Sequence, residues 1–144
     1  YFSELKHYIK SLKNEPHIAV IEGLAFSGSR VVQIAEVVAI IRIAIPENIP
    51  IVRIHQPSWT KVMNWNSSKK NPVQYKKDFF LEYEHKLETS DEIDAYLMAM
   101  ALIRAMDPEI RENLSPAMQR IADQAKKIFK NKGVKALVIS KVQR

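Results

Sequence analysis

Two strand-like runs, Ile18-Ala19-Val20-Ile21 and Ile49 to His55, flank a long segment rich in valine, isoleucine and alanine, and this order restricts the fold more than any other feature. A short continuous apolar run fits a strand buried on both faces, as in a parallel sheet. Parallel strands need a crossover, and Ser27-Gly28-Ser29 reads as the entry to a helix reaching about Ile45, stopped before Pro46. Glu22 and Gly23 close the first run, which places Glu22 at the C-terminal end of a strand, where sheets of this kind gather ligands.

Helices are expected around this unit. Phe2, Leu5, Tyr8, Ile9 and Leu12 recur at helical spacing over residues 2–13, with lysines between them. The stretch Lys61 to Asn71 is polar and basic, with tryptophans near its start, and reads as a surface loop or short helix; a helix follows from roughly Val73 to Leu87. Thr89-Ser90-Asp91-Glu92 is a capping box that starts a helix running to about Met106. Asp107-Pro108 ends it, residues 115–131 form another helix that turns basic toward its end, and Val134 to Ser140 is a candidate last strand. The order predicts an α/β sheet with mostly parallel crossovers.

At 144 residues there is room for one sizeable core. The absence of cysteine excludes a disulfide framework, a thiolate metal site and a cysteine nucleophile. Val31 to Pro46 is the longest apolar stretch, but Gln33, Glu36 and Arg42 interrupt it, so a soluble protein is expected. A net charge of +6 with a pI near 9.5 favours a polyanionic partner, although a basic surface is also common without one. Histidine offers no metal-ligand spacing: His7, His17, His55 and His85 are scattered and read as structural or surface residues.

The carboxylates are more informative. Asp91 and Asp94 lie three apart on one helix face. An acid in a first turn is stabilised by the helix dipole without any function, which accounts for Asp91 alone. Asp94 sits among Ile93, Ala95, Leu97 and Met98, and Glu22 follows a buried strand; burying either unpaired is costly, so each calls for a cation nearby. Hard oxygen donors from a strand end and a later helix are what magnesium-type ions use.

Ile21-Glu22-Gly23-Leu24-Ala25-Phe26 before a small-residue turn and long helix, then Pro50-Ile51-Val52, then Asp91-Glu92-Ile93-Asp94-Ala95-Tyr96-Leu97-Met98-Ala99, together resemble the RuvC-like Holliday-junction resolvases of the RNase H-like nuclease superfamily. The likeness covers about residues 1–106, a nuclease core, and leaves 107–144 as a basic helical extension. It implies an RNase H-like mixed sheet with flanking helices and a metal-dependent endonuclease acting on branched DNA. Glu22, Asp91 and Asp94 would hold two Mg2+ or Mn2+ ions, and Lys77 would stabilise the developing phosphorane charge, with Lys61 the other lysine near the scissile phosphate. Phe26 would stack on or wedge against a base, with core packing the equal alternative. Arg30, Lys69, Lys70 and Lys76 are backbone-contact candidates, and Trp59 and Trp65 either stack on bases or anchor a loop. A homodimer is implied by the two symmetric strands of a junction, with the apolar helix near Val31 to Ile45 offering part of the interface. The location implied is cytoplasmic beside the nucleoid, or organellar, and not secreted.

In one respect the chain departs from the pattern. The family's first strand carries an aspartate that bridges the metals, and residues 1–16 hold only Glu4 and Glu15, on or beside a helix. Either that aspartate and the first three strands lie upstream of Tyr1 in a longer protein, or another segment completes the sheet, or the active site is degenerate. Without that aspartate, the same residues describe a non-catalytic nucleic-acid-binding module, or a structural subunit of a larger nucleoprotein assembly anchored by its basic C-terminal helix.

Overall fold

A computed structural model describes residues 2–13, 16–23, 39–66 and 71–132. Phe26, Arg30, Lys69, Lys70, most of the expected helix from Ser27 and the Val134 to Ser140 run lie outside the described residues. The elements in chain order are α1 (Phe2–Ser11), β1 (Ala19–Glu22), β2 (Ile51–Ile54), α2 (Gln56–Met63), α3 (Pro72–Tyr83), α4 (Ser90–Ala105), a 3-10 helix (Pro108–Asn113) and α5 (Pro116–Asn131), with residues 39–44 also helical. The described chain is mixed α/β and mostly helical, built on one two-stranded parallel sheet. None of its helices is long and apolar enough to cross a membrane.

β1 and β2 pair in parallel, with Ala19 opposite Ile51 and Glu22 opposite Ile54, so Glu22 is the last residue of its strand. Val52 and Ile54 are buried while Arg53 between them is exposed, the alternation of a strand with one face on the core. Directly after β2 the chain turns into α2. Pro57 in its first turn lacks the N–H that a helix start leaves unsatisfied, and Asn64 ends it in the left-handed region at φ 49°. Lys61 therefore lies within a helix that begins five residues earlier.

α3 begins at Pro72, where the Asn71 side chain accepts from Gln74 N at 2.8 Å. It ends at Tyr83, short of the expected Leu87. Glu84 adopts φ 57° and donates its N–H to the Phe80 carbonyl, which closes the helix and turns the chain back. The 3-10 helix after Asp107-Pro108 has no hydrophobic period and escapes sequence reading; Asp107 caps it by accepting from Glu109 N.

α4 is the axis of the core. Ile93, Leu97, Met98, Ala101, Leu102 and Ala105 are all buried, because β1, α2, α3 and α5 each pack against it. The core runs on past residue 106: Leu114, Met118, Ala122 and Ala125 join Val52, Ile54, Trp59 and Phe79 in one cluster. The alanines of α5 let it approach closely, with Ile121, Ile128 and Phe129 packed at the edge. Lys132 at its end donates to the Asn48 carbonyl at 3.0 Å, tying α5 to the turn before β2.

Candidate functional site

The parallel register sets the first carboxylate. Gly23 N–H donates to the Ile54 carbonyl at 3.0 Å, extending the β1–β2 pairing one residue past Glu22. A Cβ at position 23 would sit 2.5 Å from Nδ1 and Cε1 of His55, so only glycine lets the imidazole lie against the strand end. The strand direction and that glycine place Glu22 and His55 side by side.

The second and third carboxylates are set by the start of α4. Thr89 Oγ1 accepts from Glu92 N at 3.1 Å, and Glu92 Oε2 accepts from the backbone N–H of Glu88 at 2.9 Å and of Thr89 at 3.4 Å. This reciprocal cap fixes the first helical turn, and with it Asp91 and Asp94. Asp94 is half-buried and Asp91 exposed. Glu22, Asp91 and Asp94 line one cavity of about 170 Å³, with Trp59, Ala95 and Met98 forming its remaining walls.

Asp94 is held from the side of α3. Tyr75 donates its phenolic hydrogen to Asp94 Oδ1, and Trp65 Nε1 donates to the Tyr75 oxygen at 3.0 Å. Burial first, then the hydrogen bond to Asp94, pushes the Tyr75 phenol far above its ordinary range, so it stays a donor at any working pH. The aromatic chain continues from Trp65 and Tyr75 through Phe79, Tyr83 and Tyr96 in mostly edge-on or tilted contacts, which leaves Tyr75 little rotational freedom.

Loss of water is the main influence on the two raised carboxyls, with repulsion between acids second to it. Glu22 is exposed, not buried as its place after the apolar run implied, yet partial loss of water at the cavity wall, followed by repulsion from Asp94 and Asp91, raises its pKa, and the nearby His55 opposes this. Asp94 is likewise raised, by burial above all and by Asp91, against the lowering effect of the Tyr75 hydrogen bond. A bound cation would reverse each of these upward shifts.

The donor chemistry fits a divalent ion of the magnesium type: oxygen ligands from two elements around a space that admits an ion and its waters. Among the described residues, however, no three His, Asp or Glu side chains are near enough to hold one ion together. The three carboxylates face one cavity and would have to draw in around a shared ion.

The lysines lie elsewhere. Trp59 lines the acidic cavity, and Lys61, two residues on, is turned about 200° around α2, where it lines clefts with Arg104 and Asn113 and with Asn64 and Trp65. The same geometry separates Tyr75 from Lys77 on α3: Tyr75 faces Asp94, while Lys76 and Lys77 line an outer cleft with Phe80 and Lys86. Trp59 is buried, and the Trp65 indole is engaged with Tyr75, so both tryptophans work as anchors in this structure.

Sequence reading passed over Tyr75 as a site residue and placed His55 only among the structural or surface histidines. A signal for the first was present: Tyr75, Phe79 and Tyr83 recur every four residues as the inner stripe of α3, and a tyrosine in such a stripe needs an acceptor for its hydroxyl. His55 had none beyond its place at a strand end, opposite a glycine whose partner only the register reveals. Comparison with protein-family models, with curated proteins and with solved structures finds no match to this chain.

Proposed function

We propose that this chain carries the acidic centre of a metal-dependent endonuclease of RuvC-like type, hydrolysing phosphodiesters of branched DNA as a homodimer. The observation that carries the reading is the meeting of Glu22, Asp91 and Asp94 in one cavity, with the pKa values of Glu22 and Asp94 raised as expected of acids awaiting a cation. A carboxylate at a parallel strand end facing a pair in the first turn of a later helix supports it further. Magnesium or manganese bound there would supply an activated water and charge stabilisation at the leaving oxygen. Of the protein's own residues, Asp94 is aimed by Tyr75, Glu22 is placed by the sheet register, and the net charge of +6 favours a phosphate backbone. Lys61 and Lys77, turned away from the cavity, are assigned to phosphates flanking the scissile one.

The test is cleavage of a cruciform DNA with Mg2+ by the wild type and by Asp94→Asn, alongside calorimetric titration of both with Mn2+. The proposal expects metal-dependent cutting and Mn2+ binding that the substitution abolishes. Equal, negligible cleavage and no Mn2+ heat from either protein would sink it.

A second reading, a nucleic-acid-binding module without catalysis, is favoured by the separation of the three carboxylates and by lysines facing away from them. It predicts junction binding that is indifferent to Mg2+ and to Asp94→Asn.

A further inference from the structure

The outer face of α3 is unusual for a solvated helix. Val73, Phe80 and Leu81 are among the large apolar side chains most exposed in the described chain, at 73%, 51% and 70%. They share that side of the helix with Lys76 and Lys77. The left-handed residue Glu84 reverses the chain, and Lys86 and Leu87 return alongside to form the second wall of a cleft of about 350 Å³, with Glu88 as the one acid lining it. Three ammonium groups thus stand around a floor of Phe80 and Leu87.

That combination selects its occupant by charge and shape. A second copy of the same face would set lysine against lysine, and an uncharged apolar partner would leave three cations to be desolvated. A single nucleic-acid strand satisfies both halves, because every base has an apolar π face and every linkage a negative charge. Duplex DNA satisfies only the lysines, its bases being stacked on one another.

Position supports the same occupant. Tyr75 on the inner face of α3 touches Asp94, so the cleft lies about one helix diameter, roughly 10 Å, from the acidic cavity. That separation is one that a few linked nucleotides of a single strand span.

We propose that the Lys76, Lys77, Phe80, Lys86 and Leu87 cleft is a single-strand clamp, in which Phe80 stacks on an unpaired base and the lysines hold the adjoining phosphates. It rests on the reading of this chain as a nucleic-acid enzyme and gives that reading a preference: substrates with unpaired nucleotides close to the cut.

The experiment is fluorescence anisotropy in EDTA, which prevents cutting. A labelled oligothymidine of about twelve nucleotides, a blunt duplex of equal length and a four-way junction are titrated with wild type, Phe80→Ala and the Lys76→Ala/Lys77→Ala/Lys86→Ala variant. Phe80 is half exposed, so its truncation leaves the fold intact, which a thermal melt verifies. Phe80→Ala is expected to weaken oligothymidine binding about fivefold to a hundredfold, with duplex affinity and salt dependence unchanged. The triple lysine variant is expected to flatten the salt dependence on the single strand by roughly 2 in the log–log slope, about 0.7 for each phosphate contact. Junction and single-strand binding unaltered by Phe80→Ala would overturn the clamp while leaving the nucleic-acid reading in place. No binding of any probe by the wild type would overturn both. Phe80-dependent capture of an acidic amphipathic peptide, with none of oligothymidine, would overturn the clamp in favour of a protein partner.

Discussion

Tyr75 on α3 donates its phenolic hydrogen to Asp94 on α4, and this one bond couples the aromatic cluster of the core to the acidic cavity. Because Trp65 in turn donates to the Tyr75 oxygen, the hydroxyl is fixed from both sides. Replacing Tyr75 by phenylalanine keeps the ring and removes the hydroxyl, leaving a half-buried carboxylate and an indole N–H without their partner. The expected cost is about 1 kcal/mol, at the lower end for a charge-assisted bond because Asp94 still meets solvent. The Asp94 carboxyl, which that bond holds down, should titrate at still higher pH. Urea denaturation measures the first effect and carbon-13 NMR of the carboxyl the second; a variant equal to wild type in both would show the bond to be idle.

The raised carboxyls make a pH prediction with a definite sign. A carboxyl whose folded pKa lies above its unfolded value binds its proton more tightly in the folded state. Its contribution to stability is therefore full at low pH and is lost as pH rises from near 4 through the raised folded values of Glu22 and Asp94. Glu22→Gln removes one ionisable acid, so its Tm should match wild type in acid and exceed it at neutral pH, by on the order of 2 °C once solvent screening is allowed for. Melting curves across that range test it, since acids outside the cavity titrate alike in both proteins. A variant less stable than wild type at pH 7 would mean that Glu22 is already compensated there. Adding Mn2+ should raise the wild-type Tm and leave Asp94→Asn unmoved.

How much of this was legible beforehand depends on whether the signal was local. The ends of β1 and β2, the capping box of α4, and the start of α5 behind Ser115-Pro116 each follow from a few adjacent residues. The start of α2 was hidden because Gln56-Pro57-Ser58-Trp59 lacks an apolar period and its helicity depends on burying Trp59 and Met63. The early end of α3 was hidden too, since nothing in Glu84 announces a positive φ. Within the site, Glu22, Asp91 and Asp94 stood out because acids beside apolar runs are conspicuous. Tyr75 and His55 act through residues 19 and 32 positions away, a separation only the fold closes.

Gly23 is one such long-range dependence. Its Cα lies so near the His55 ring that an added methyl must push the imidazole away from Glu22. Gly23→Ala is expected to destabilise by about 1–3 kcal/mol, as an overpacked contact does. The double variant Gly23→Ala/His55→Ala should recover most of that loss, because the clash is with the ring and not the strand. A double-mutant cycle by chemical denaturation gives the coupling directly, and additive losses would place the strain in the backbone instead.

The turn at Glu84 ties stability to the outer cleft. A residue with a Cβ in the left-handed region costs on the order of 1 kcal/mol, which glycine escapes, although glycine also has more freedom to lose on folding. Glu84→Gly should therefore be neutral to slightly stabilising, by less than about 1 kcal/mol. Glu84→Val pays the cost of the same φ with a branched Cβ and should lose more than about 1 kcal/mol. The two substitutions remove the same charge, so the difference between them isolates the backbone. If the reversal at Glu84 is what brings Lys86 and Leu87 beside Phe80, Glu84→Val should also weaken oligothymidine binding more than Glu84→Gly does. Equal binding by the two, despite unequal stability, would mean that the second wall of the cleft stands without the turn.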